Sequence, residues 1–385
     1  GDMTVNSGSD IDGVLSVGGD LTILGAADIG DGDADTFSVG GDMIVGNDIA
    51  MPSIVISGPG NTTSIVGGTL FINAGATVSG VDDENHTLTV DAVNIHEQTG
   101  GGPPNGTFYL GDDNTLVVQG SFVAGTFIGT DSDAPDDGDH ALLAFVLDDN
   151  TTFAPGPNTQ LCDFSAFGNE ETLFVNTSFE VQCDAHVLDD TTLDLTDVLM
   201  RMTGPDGMLN ISTDAEVSGD PTKGAVSFEG TDVDLDGFIA TIAPEAASVG
   251  HITSFIVNDP VGFDDVTTSG PLVVDGIMSL AFGGFTTGAN TITWSGPDAG
   301  IIINTDGTGA DITLSPGGSM AGSWDATWNG TNTVMGGTPG VELDPTKNND
   351  LHVNTTGIAT VLDVAPLGPG GSISISGDFN VGNDA

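Results

Sequence analysis

Positive charge is nearly missing from this chain. Its 385 residues include three cationic side chains, Arg201, Lys223 and Lys347, against 56 Asp and Glu, for a formal net charge of −53. With so few cations it cannot neutralise a phosphate backbone, which excludes nucleic acid as a partner and makes an anionic membrane a poor one. No apolar run reaches 18 residues, so no membrane-spanning helix and no membrane insertion are expected. A signal peptide is not visible, and Gly1 in place of Met reads as processing or as excision from something longer. A helical period is absent too. The nearest approach, "DDTTLDLTDVLMRMTG" (189–204), is rich in the Thr and Val of strands.

What is present argues against disorder. Hydrophobic residues make up 38% of the chain and fall in short β-branched runs, whereas disordered chains lack them. The acidic residues are mostly Asp, a turn former, where Glu would favour helices. The charge therefore belongs at turns. Three settings tolerate it: high salt that screens repulsion, bound divalent cations with Ca²⁺ foremost, or an acidic medium that protonates carboxylates. The sequence leaves all three open.

One phrase keeps returning. "LSVGGDLTILG" (15–25), "FSVGGDMIVGN" (37–47) and "ISISGDFNVGN" (373–383) each place two alternating apolar runs around a Gly-Asp bend, and the chain opens on "GDMTVNSGSD". Alternation of this kind marks strands with one buried face. Asp20 and Asp42 lie 22 residues apart, and looser copies such as "GTLFINAGATVSG" (68–80) recur along the chain. Periods of this size belong to solenoids or arrays. The reading is all-β, with a parallel β-solenoid favoured. An antiparallel β-sandwich array is the alternative, in which "VGGDL" would be a hairpin turn. The expected organisation is solenoid coils over 1–129, an irregular β region with insertions over 130–220, and further coils over 221–385.

Segments such as "GTLFINAGATVSG" and "SISISGDFNVGND" resemble the β-helices of haemagglutinin-type and adhesin passenger surface proteins. That resemblance implies an extracellular or cell-surface structural or adhesive role and brings no catalytic residues with it.

Cys162 and Cys183 are the only cysteines, 21 residues apart. Residues one period apart stack on neighbouring coils within disulfide reach, so a bridge is expected. Sequons mark Asn61, Asn85, Asn105, Asn150, Asn176, Asn210, Asn329 and Asn354 as glycosylation candidates. Asp31, Asp33 and Asp35, and Asp131, Asp133, Asp136 and Asp137, form acidic clusters that suit Ca²⁺. They lack the twelve-residue calcium loop, and a solvated acidic turn is the plainer reading. The six histidines are scattered without metal spacing, no nucleophile motif is present, and no enzyme is expected. Trp294, Trp324 and Trp328 read as core, with a sugar-stacking platform as the alternative.

Together these features point to an extracellular structural protein that associates with itself end to end, as a filament, fibre or surface-layer subunit. The alternatives are an adhesin contacting a glycan or cell surface and, third, a polysaccharide-active β-helix.

Overall fold

A computed structural model describes residues 1–294 except for short stretches, the longest 97–104, 130–139 and 230–240, and beyond 294 the backbone of six strands from Gly300–Thr305 to Phe379–Asn383. Every element among the described residues is a strand. The pairings are parallel: Leu15–Val17 pairs with Phe37–Val39, and Leu21–Ile23 with Met43–Val45. The two strands flanking Gly-Gly-Asp thus pair with their counterparts in the next copy, not with each other. The Gly-Asp bend turns a corner without reversing the chain. This rules out the antiparallel sandwich and makes the fold a parallel β-solenoid.

The chain divides into two compact units, Gly1–Asp184 and Ala185–Ala385. The boundary falls inside 130–220, the stretch set apart by sequence. Within that stretch Leu142–Val146, Thr151–Ala154 and Gln160–Leu161 form a coil like those before it. The typical coil has three strands, as in Leu15–Val17, Leu21–Ile23 and Ala27–Ile29, and the sequence shows clearly only the first two.

Unit one is built from columns of stacked residues. Leu21, Met43, Leu70, Val93, Phe122, Phe153 and Val175 pair in register from coil to coil, and all are buried. Parallel sheets elsewhere are usually covered on both faces and read as continuous apolar runs. A solenoid covers only its inner face, so its strands alternate; Phe37–Val39, for instance, is buried, exposed, buried. Between residues 108 and 179 the interior fills with phenylalanine. Phe153 lies 5.1–6.0 Å, centroid to centroid, from Phe122, Phe145, Phe164 and Phe179, within the range of favourable ring contacts.

Unit two repeats the principle. Leu193, Val217, Ile252, Val274 and Trp294 form one buried column. Phe255 sits 6.2 Å from Phe228 and 5.5 Å from Phe285.

Candidate functional site

The Gly-Asp phrase is a coil-to-coil clamp. The carboxylate of Asp2 accepts the backbone N–H of Asp20 at 3.2 Å, Asp20 accepts that of Asp42 at 3.0 Å, and Asp42 accepts that of Thr69 at 2.8 Å. The second glycine of each bend makes this possible. A Cβ on Gly19, Gly41 or Gly68 would collide with the carboxylate of Asp2, Asp20 or Asp42. The same device recurs at other corners: Asn150 accepts the N–H of Thr172 at 2.8 Å, and Asp163 that of Asp184 at 2.9 Å. The coils of Asp20 and Asp42 each take a carboxylate oxygen from one neighbour and offer one to the other, so this ladder has a direction. The sequence marked Gly-Gly-Asp as a bend but not as a clamp, because the partner N–H lies 18, 22 or 27 residues away.

Stacked carboxylates also repel. Adjacent parallel strands lie about 4.8 Å apart, and two unit charges at that distance cost roughly 1 kcal/mol in water. A hydrogen bond to a charged acceptor contributes about 1.5–3 kcal/mol, so the clamp wins. Two substitutions separate the terms. Asp42→Ala is expected to lower stability by about 1–2 kcal/mol, since the Thr69 N–H loses its acceptor. Asp42→Asn keeps an acceptor, as Asn150 does, and removes one charge from the column. Urea denaturation at low salt should place it at or above the parent. Equal losses for both variants would mean that the charge, not the acceptor, holds the corner.

A second cluster stands where unit one carries its cysteines. Cys162 and Cys183 are joined by a disulfide with Cα atoms 4.7 Å apart. His140 Nδ1 lies 3.4 Å from Asp163 Oδ1. The ligand atoms of His140, Cys162, Asp163 and Cys183 all fall within 4.8 Å of one another. His140 and Asp163 come from adjacent coils, since Asp163 donates its N–H to the Ala141 carbonyl at 3.1 Å. This grouping has no signature in the sequence: His140 and Asp163 have no motif in common, and only stacking brings them together.

His86 is buried at a different corner. Its Nδ1 lies 2.8 Å from Thr62 Oγ1, and its backbone N–H donates to Asn114 Oδ1 at 3.0 Å. Nε2 is buried with no hydrogen-bond partner among the described residues, and the side chain borders a small cavity lined by Ile56, Leu88, Phe108 and Leu110. Burial lowers the pKa of this imidazole from its ordinary 6.5. The unfolded chain therefore binds the proton more readily than the folded one, and stability that is full above pH 6.5 is lost as pH falls through 6.5 towards the lowered folded value. His86→Gln should remove this part of the acid slope. Denaturation midpoints of parent and variant, compared at pH 7.5 and 5, should differ by an amount that changes with pH; a constant difference would clear His86 of the role.

The other marked residues fall in several places. Asp31, Asp33, Asp35, Asp131, Asp133, Asp136, Asp137 and Asn61 lie outside the described residues. Asn85, Asn150 and Asn176 are exposed. Asn105 is half-buried, its Nδ2 donating to the Gly125 carbonyl at 3.4 Å and Thr126 Oγ1 at 3.2 Å, which leaves it a poor glycan acceptor. Asn210, Asn329 and Asn354 lie within strands. Trp294 is buried in the column described above. Arg201 is engaged by Glu229, with Nε 2.9 Å and Nη2 2.6 Å from Oε2. Among the described residues no helix is long and apolar enough to cross a membrane. Comparison of the chain with protein-family models, with curated proteins and with solved structures found no match.

Proposed function

We propose that this chain is an extracellular structural protein whose coils stack on further copies of itself. The observation that carries this reading is the directional clamp. Asp2, Asp20 and Asp42 show that a Gly-Asp corner binds the next such corner through one carboxylate and one N–H. Nothing in that contact requires the two coils to belong to one chain. The phrase at 373–383 shares its Gly-Asp-x-x-Val with residues 1–5. Head-to-tail contacts that do not close make filaments.

The adhesin-like style of the repeats, the disulfide and the exposed sequons at Asn85, Asn150 and Asn176 support a surface location. Ca²⁺ at the acidic turns would reduce repulsion between copies. The reading includes no catalytic step.

The test is electron microscopy and light scattering of the full-length chain across a concentration series, with millimolar Ca²⁺ and with NaCl of matched ionic strength. Particles that lengthen with concentration are expected, more so in Ca²⁺. A particle of fixed length under every condition would overturn the reading, and specific retention on a glycan array would then favour an adhesin.

A further inference from the structure

We propose that His140, Cys162, Asp163 and Cys183 form a redox-gated metal site: when the disulfide is reduced, the four side chains take one thiophilic divalent cation, Zn²⁺ first among them, which the disulfide otherwise excludes.

The donor set is that of a closed tetrahedral zinc site, with two thiolates, one imidazole and one carboxylate. Zinc–sulfur bonds of about 2.3 Å and zinc–nitrogen bonds of about 2.0 Å place tetrahedral ligand atoms roughly 3.3–3.8 Å apart. The four ligand atoms already lie within 4.8 Å of one another. Small side-chain rotations close the set, and the sulfurs need only move apart from bonding distance.

The backbone under the site is fixed independently of the bridge. Cys183 donates its N–H to the Cys162 carbonyl at 3.1 Å, and Asp184 to Asp163 Oδ1 at 2.9 Å. Both cysteines are buried, while the side chains of His140 and Asp163 are 16% and 20% exposed. The cluster is therefore reached from its imidazole–carboxylate edge. Two soft sulfurs select against Ca²⁺ and Mg²⁺, which require oxygen ligands. Unit one contains no Lys or Arg to compete for the carboxylate or the thiolates.

The two states interconvert by a balanced exchange. A dithiol reductant gives up two electrons and two protons and closes its own disulfide. The Cys162–Cys183 bond breaks to two thiols. Metal binding then forms two metal–sulfur bonds and releases the two thiol protons to solvent.

The experiment uses the whole chain, reduced with a dithiol, freed of reductant without air and titrated with Co²⁺. One equivalent should bring up the visible bands of a tetrahedral ion and the near-ultraviolet thiolate charge-transfer band. Zn²⁺ should displace it, and the oxidised protein should show neither signal. Outer-shell ligand partners alone are worth about 10–100-fold in metal affinity, so His140→Ala and Asp163→Asn should each weaken Zn²⁺ binding by at least tenfold. A reduced protein that keeps its strand circular dichroism and gives no tetrahedral spectrum overturns the proposal. So does a spectrum and affinity unchanged by His140→Ala. If reduction unfolds the coil, Zn²⁺ added during refolding should restore the strand signal in the parent and not in His140→Ala; failure to restore it is also fatal.

Discussion

Replacing Phe153 with Ala is expected to cost unit one about 3–5 kcal/mol. The ring is fully buried and packs against four other phenylalanines from its own and neighbouring coils. Truncation loses the transfer free energy of the ring and leaves a cavity. The cavity cannot close without dragging coils together, because parallel pairing fixes their spacing at about 4.8 Å. Phe174 is the control. It stands on the strand Thr172–Val175 but on the outer face, 41% exposed. Phe174→Ala should stay within about 0.5 kcal/mol of the parent. In an array whose repeats touch only their neighbours, damage is also local. Hydrogen exchange should accelerate first at residues stacked on Phe153, such as Phe122 and Val175. Equal denaturation midpoints for the two variants would remove the phenylalanine column as the source of stability in this stretch.

Breaking the Cys162–Cys183 bridge is the second large effect. The cysteines are separated by 21 residues. Closing a loop of that length in the unfolded chain is worth about 3 kcal/mol. The double variant Cys162→Ala, Cys183→Ala should lose about that much in guanidinium unfolding, with the folded spectrum unchanged. The effect acts through the unfolded state, so it should appear even though the backbone bond from Cys183 to Cys162 remains available. A loss no greater than that of an exposed substitution would show that unit one retains structure here when denatured. Metal should behave differently in the two proteins: Zn²⁺ should return part of the loss to the reduced parent and none to the double variant.

The amino-acid sequence carries the all-β class on its own. Alternating short apolar runs bounded by Gly and Asp can bury only one face, and their recurrence 22 residues apart fits a coil. It also determined the surface: three cations among 385 residues leave carboxylates on the outside, whatever the register. It pointed to the cysteines because their spacing nearly matches that of Asp20 and Asp42.

What the corners do emerges only when the coils pair. Whether "VGGDL" reverses the chain or bends it depends on which strands pair. That is a long-range choice, made by burying Leu21 over Met43 and Met43 over Leu70. The Gly-Asp clamp, the burial of His86 beside Thr62 and Asn114, and the meeting of His140 with Asp163 all join residues on different coils. Coils vary in length from one step to the next, so no fixed spacing in the sequence identifies such partners. The parallel ladder fixes them, because it holds each corner over the next whatever the length of chain between.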